Sequence, residues 1–247
     1  MKVIIQHLFN RLGYQISRLD HKKNAGKKSK VLDFGYISAS ETVQKAKESG
    51  LSVCDYVEKS WNQIGETQKV IDNMAQWIDF STIHNVCEIG PGTGRYTEKV
   101  LERIGTGRYE IYETAQDWME YLSQSYPVVA CHTNGKDLTD TESNSIDLLH
   151  SHGVFVYLPF IVSMIYFKEM VRTVKTNGYV VFDFYSENCM TNEIVERWIQ
   201  AKEYFPAFLS APHVDEYFNA AGFKKVGEFY NKHGQGKSHY VIYKKES

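Results

Sequence analysis

Two short stretches hold the residue types that do chemistry. His150-Ser151-His152 sets two imidazoles one residue apart. Histidine ionises near pH ~6.5, so close to neutrality it is well suited to take a proton from a hydroxyl. His152 is the first choice for such a base and His150 the second. The other stretch is Glu88-Ile89-Gly90-Pro91-Gly92-Thr93-Gly94. Closely spaced glycines let backbone N–H groups approach a bound molecule, at angles that other residues resist. A carboxylate, Glu113, follows Gly94 by 19 residues. An acid about 20 residues past such a turn can accept both hydroxyls of a ribose.

These residues need elements to hold them. Val86, Cys87 and Ile89 read as a buried strand running into the glycines. Tyr96, Val100, Leu101 and Ile104 then recur at helical spacing. Residues 109–112 form the next strand, with Glu113 at its tip and Glu110 on the other face. Further strands are expected at 128–132, 146–149 and 179–184, with Asn134-Gly135 a turn after the first of them. Helices are expected at 115–125, 159–174, 192–204 and 214–221, with Asn177-Gly178 ending the second. Strands 224–230 and 239–243 close the chain as a hairpin turning over 231–236. The alternation gives an α/β fold with a mostly parallel central sheet, a C-terminal antiparallel hairpin and helices on both faces. Ahead of it, residues 38–80 read as two or three helices, two of them over 51–64 and 67–80. The domains expected are a helical extension or cover at 1–80 and the α/β domain at 81–247.

The glycine spacing separates kinds of nucleotide site. A dinucleotide turn needs G-x-G-x-x-G, and here Arg95 fills the slot of its third glycine. No G-x-x-x-x-G-K-[ST] phosphate loop is present. The form acid–x–Gly–x–Gly–x–Gly instead resembles the first motif of class I S-adenosylmethionine (SAM)-dependent methyltransferases, a Rossmann-like family. The resemblance spans roughly residues 80–247. It implies SAM as cofactor, with contacts from Glu88, Gly90, Pro91, Gly92, Thr93, Gly94, Glu113, Asn134, Gly135 and Ser151. It also places the segment 150–157 beside the methyl-donating sulfur. In this family, helices ahead of the first strand often cover the pocket, which by analogy brings in Trp61 and Thr67.

The acceptor is less legible. The order of elements and the stretch HSHGVFVYLP are similar to bacterial methyltransferases of surface-glycan synthesis, which implies transfer to a sugar or glycan hydroxyl. Rings such as Tyr185, Trp198 and Tyr204 would suit stacking on a sugar. Asp183 and Glu187 flank the fifth strand as weaker candidates for binding. No acidic cluster follows the fourth strand, so no metal is expected, and no Asn-Pro-Pro-Tyr-like tetrapeptide marks a base-modifying enzyme. Other readings remain open: O-, N- or C-methylation of a small metabolite, a SAM-binding partner subunit without turnover, or a hydride-transfer enzyme.

Composition sets the remaining limits. A net charge of −2 argues against a general nucleic-acid binder. Residues 1–30 nevertheless hold eight Lys/Arg and one Asp, with Ile5, Leu8, Leu12, Ile16 and Leu19 at helical spacing. Such a helix can dock on a partner or lie on an anionic membrane. The four cysteines are scattered without metal-binding spacing, which fits a reducing cytoplasm. The first apolar run, 3–5, is broken at once by Gln6 and His7, so no secretory signal is expected. The oligomeric state is left open.

Overall fold

The structure, a computed structural model, describes residues 37–61, 64–105 and 107–246. The expected basic helix over 1–20 lies outside the described residues. From residue 37 onward the contacts form one compact unit.

Among the described residues seven strands make one sheet: β1 (Asn85–Ile89), β2 (Arg108–Tyr112), β3 (Val129–Ala130), β4 (Ile146–Ser151), β5 (Val174–Phe184), β6 (Phe223–His233) and β7 (Gly236–Lys245). Their order is β3-β2-β1-β4-β5-β7-β6. The first five run parallel, and β7 lies antiparallel to both β5 and β6. The chain steps outward from β1 to β3, then returns to the other side of β1 with β4. Ligands of open α/β sheets bind at such a reversal, beyond the carboxyl ends of the strands.

Side-chain alternation explains why the sheet is buried on both faces. Successive residues of a strand point to opposite sides. Val86, Leu148 and Val181 join one apolar cluster, while Cys87, Leu149 and Val180 join the other. The helices α1 (Ala39–Ser49), α2 (Val53–Trp61), α3 (Glu66–Met74), α4 (Arg95–Leu101) and α5 (Gln116–Ser125) come before β3. Val70, Ile71 and Met74 of α3 pack into the first cluster with Val100 and Leu122. The second cluster takes Phe167 and Met170 of α6 (Phe160–Thr173) and Phe218 of α8 (Ala211–Ala220). The remaining helix, α7 (Asn192–Ala201), buries Trp198 with Tyr185 and Val156 in a third, smaller cluster.

Polar ties fix the first helices. Ser38 caps α1 by accepting from the Glu41 N–H, and Gly50 ends it at φ 70°. The Trp118 indole donates to the Ile37 carbonyl at 2.8 Å, and the Ala39 N–H donates to Asp117 at 2.8 Å, tying this start to α5. Buried Glu58 accepts from the N–H groups of Gly65 and Thr67 at 2.6 and 2.7 Å. A carboxylate there satisfies donors that a helix N-terminus leaves unpaired.

Several expected boundaries change. The strand at 128–132 shrinks to two paired residues. Asn177-Gly178 does not end α6, which stops at Thr173; β5 begins at once with Val174. The pair instead sits in a bulge, because Ile146 pairs with Val174 while Leu148 pairs with Tyr179. The last hairpin is longer than expected. Its strands run to His233 and resume at Gly236, so Asn231 and His233 lie on β6 rather than in a loop. No helix among the described residues is long and apolar enough to cross a membrane.

Candidate functional site

The glycine turn sits at the carboxyl end of β1. Gly90, Gly92 and Gly94 all adopt positive φ, at 66°, 54° and 84°. The reasons for glycine differ along the turn. A Cβ on Gly90 would lie 2.5 Å from Val154 Cγ2, and one on Gly94 would lie 2.6 Å from Leu122 Cδ2. At Gly92 a Cβ would meet nothing within 4 Å, so this backbone faces open space. Pro91 and Thr93 between them are buried.

Glu113 stands over this turn from the end of β2. One carboxylate oxygen accepts from the Gly92 N–H at 2.9 Å, and the other from the Ala115 N–H at 2.8 Å. The turn and the acid therefore meet although 21 residues separate Gly92 from Glu113. Ser151 ends β4 and donates to the Ile89 carbonyl at 2.9 Å, so β1 and β4 finish level with each other. Asn134 is exposed, with its side-chain Oδ1 accepting from the Lys136 N–H at 3.0 Å, and Gly135 follows at φ 79°. An open glycine backbone beneath a carboxylate fits the amino-acid and ribose parts of SAM. Gly92 and Glu113 are the residues that would hold it.

Glu88 behaves differently from its neighbours. It is buried, accepting from the Thr97 hydroxyl at 2.6 Å and the Tyr109 hydroxyl at 2.8 Å. Burial pushes its carboxyl up to about 7. It is the first member of an interior chain of hydrogen bonds. Tyr109 Oη lies 2.8 Å from His150 Nε2, and His150 Nδ1 lies 3.1 Å from His152 Nε2. His152 Nδ1 is 3.4 Å from Tyr240 Oη.

This chain alters the reading of the two histidines. His150 is fully buried, and burial lowers it to about 3. It is absent from the wall of the cavity beside His152, and its Nδ1 is taken up by His152. His152 is 8% exposed and stacks on Tyr96 with ring centres 3.6 Å apart. Burial lowers its pKa as well, with His150 and Arg95 adding to the effect.

His152 opens on a cavity of about 40 Å³ next to the end of β4. The wall comes from distant parts of the chain. α3 supplies Glu66 and Thr67, α4 supplies Arg95 and Tyr96, and the terminal hairpin supplies Asn231, His233 and Tyr240. Glu66 Oε2, Thr67 Oγ1 and Asn231 Oδ1 are buried with no hydrogen-bond partner among the described residues. Buried polar atoms are ordinarily paired, and an unpaired one costs about 1–3 kcal/mol. Sequence reasoning missed Asn231 and His233 by placing both in a turn. Apolar Phe223, Val226 and Phe229 beside Gly234-Gln235-Gly236 was the available signal for a longer strand. Thr67 had been named only by analogy, and it does reach the cavity. Tyr204, by contrast, is 80% exposed. No cluster of three His, Cys, Asp or Glu side chains among the described residues is placed to hold a metal ion.

Residues 87–182 match a family described as a methyltransferase domain. Solved structures share the fold at low identity. The magnesium protoporphyrin IX methyltransferase of Synechocystis, with S-adenosylhomocysteine bound, is 10% identical with a TM-score of 0.59 and complete coverage of both chains. The methyltransferase complexed with the Haloferax volcanii activator Trm112 is 13% identical, with a TM-score of 0.60 over 86% of this chain and 100% of that one. An O-methyltransferase family protein of Burkholderia thailandensis is 15% identical, with a TM-score of 0.56 over 79% and 60%. No curated protein matches the sequence. Over residues 87–182 the chain carries a methyltransferase domain, with SAM as its cofactor.

Proposed function

We propose that the enzyme methylates a hydroxyl group of a polyhydroxylated small molecule, of the sugar class, which places one hydroxyl in the small cavity beside His152. The observation that carries this reading is the set of buried oxygens without a hydrogen bond, of which Glu66 Oε2 has only Lys69 Nζ at 4.0 Å. Asn231 Oδ1 and Glu66 Oε2 are acceptors, and Thr67 Oγ1 can accept as well. Three buried oxygens around one cavity ask for a ligand rich in polar hydrogens, which the hydroxyls of a sugar supply. Each would gain a hydrogen bond on binding that it lacks in the free protein. Arg95 fits the same picture. Its guanidinium lies 5.5 Å from the ring centre of Tyr96 and 5.8 Å from that of Trp61.

Bound SAM supplies a methyl group on a positively charged sulfur. The protein has to align the acceptor oxygen with that methyl and remove the hydroxyl proton. Alignment alone can supply about 7 kcal/mol or more. A histidine of this wall takes the proton, as the sequence suggests. Glu113 and the glycine turn hold the cofactor end, and Ser151 keeps the two strand ends in step.

The test is release of S-adenosylhomocysteine with methyl glycosides, compared with primary amines of similar size. Turnover with glycosides supports the reading. Turnover with amines alone, or SAM binding with no turnover on either set, refutes it. Contact of residues 1–30 with an anionic membrane or a partner remains a separate proposal. Vesicle flotation of the full chain against a form lacking residues 1–30 tests it, and equal flotation of the two would remove it.

A further inference from the structure

Two imidazoles face the acceptor cavity, and they differ in what their nitrogens already do. Both nitrogens of His152 have protein partners, His150 on one side and Tyr240 on the other. With Glu88 ionised, one consistent direction runs through the chain. Tyr240 donates to His152, His152 to His150, His150 to Tyr109, and Tyr109 to Glu88. In that arrangement the only lone pair on the His152 ring is taken by Tyr240.

His233 is arranged otherwise. Its Nδ1 lies 2.6 Å from Tyr185 Oη, and its Nε2 has no hydrogen-bond partner among the described residues. That Nε2 faces Gly153, where a methyl group placed on the glycine would lie 3.7 Å away. Gly153 directly follows His152 at the end of β4, at φ 68°, and its N–H donates to Asp183 at 2.7 Å. The backbone there is thus pinned, and the missing side chain leaves Nε2 uncovered.

The hairpin tip is held as well. Gly234 turns at φ 52°, and a Cβ on it would lie 2.2 Å from Trp198 Cη2. Tyr157 packs edge-on to His233 from the segment after β4, with ring centres 6.0 Å apart. The charges acting on the ring are Asp183 of β5, which favours the protonated form, and Arg95 of α4, which disfavours it. Burial, with Arg95 acting in the same direction, outweighs Asp183 and keeps the imidazole neutral, so it is free to accept.

We propose that His233, oriented by Tyr185, is the residue that removes the acceptor hydroxyl proton, and that His152 is a wall of the site. The inference rests on the hydroxyl-acceptor reading above. In the step, the acceptor oxygen forms a bond to the methyl carbon as the carbon–sulfur bond breaks. The bonding pair leaves on sulfur as a neutral thioether. The hydroxyl proton passes to His233 Nε2, giving an imidazolium whose Nδ1–H donates to Tyr185 Oη. Tyr185 is a positioning residue that selects the Nδ1–H form of the resting ring.

Two measurements test this. The first needs no acceptor. Nitrogen-15 NMR of the histidine rings near neutral pH, assigned with His233→Gln, should show His233 protonated on Nδ1 and bare on Nε2. Tyr185→Phe should mix the two forms. An Nε2–H ring in the wild-type protein overturns the proposal. The second measurement is turnover of methyl glycosides at saturating SAM. General bases contribute about 100-fold or more. His233→Gln should therefore lower kcat about 100-fold while SAM affinity stays within about threefold, and Tyr185→Phe about tenfold. His152→Gln should lose less than His233→Gln. A larger loss in His152→Gln, or unchanged kcat in His233→Gln, overturns it. If no glycoside is turned over, the acceptor reading fails, while the ring tautomer still decides whether His233 can serve as a base.

Discussion

The two ends of the cleft are finished to different degrees. At the proposed cofactor end the polar groups are already paired: Gly92 N–H and Ala115 N–H on Glu113, and Ser151 on Ile89. At the proposed acceptor end three oxygens are buried without a hydrogen bond. The first end is made of backbone turned by glycines within one βα unit and of the tips of the two neighbouring strands, β2 and β4. The second is made of side chains from α3, α4, the β4 exit and the final hairpin. Such a division lets the cofactor grip contribute to folding, while the acceptor wall costs stability until it is filled.

That contrast can be broken by substitution. The largest effect is expected at Gly94→Val. A side chain there meets Leu122 at 2.6 Å and must hold φ 84°, so overpacking and strain together cost about 2–4 kcal/mol. Urea denaturation reads the loss, and SAM binding by calorimetry should disappear with it. Glu113→Ala comes next. Charge-assisted bonds are worth about 1.5–3 kcal/mol, so SAM affinity should fall about 10- to 100-fold with a smaller loss of stability. An unchanged affinity would detach Glu113 from the cofactor.

The acceptor end should respond in the opposite sense. Thr67→Val removes an unpaired hydroxyl, so stability should stay within about 0.5 kcal/mol of wild type or rise. Glycoside turnover should nevertheless drop about tenfold with SAM affinity unchanged. A clear loss of stability would show that Thr67 belongs with the paired end.

The smallest effect concerns pH. Glu88 is raised from 4.5 to about 7 in the fold, so its contribution is full below pH 4.5 and is lost as pH rises to 7. His150 is lowered to about 3, so its contribution falls as pH drops from about 6.5 towards 3. The two oppose each other between pH 4.5 and 6.5. Glu88→Gln removes one of them, so relative to wild type its stability should improve steadily from pH 4.5 to 7. Denaturation at several pH values measures this, and a constant difference would mean that Glu88 does not titrate in that range.

The same division governs what could be read in advance. Three glycines two residues apart announce a turn, and an acid one strand later announces its partner, because both are local patterns tied to strand periodicity. The parallel sheet and closing hairpin were legible for the same reason. The acceptor wall was not. Asn231 and His233 meet His152 only because β7 lies between β5 and β6, a long-range pairing that carries no local signature. The pairing of His150 with Tyr109 and Glu88 likewise depends on the registers of β1, β2 and β4. Polar residues beside glycines at 231–236 mimic a loop, which is why the strand ends there were drawn too short.

The closeness of Gly90 to Val154 has a mechanical outcome. The turn that would embrace the cofactor and the segment that uncovers His233 share one van der Waals boundary. A displacement of either is transmitted to the other, because close-packed atoms do not compress. A molecule that shifted one of them would be felt at the other, and any such coupling is reciprocal, each molecule changing the hold on the other by the same factor.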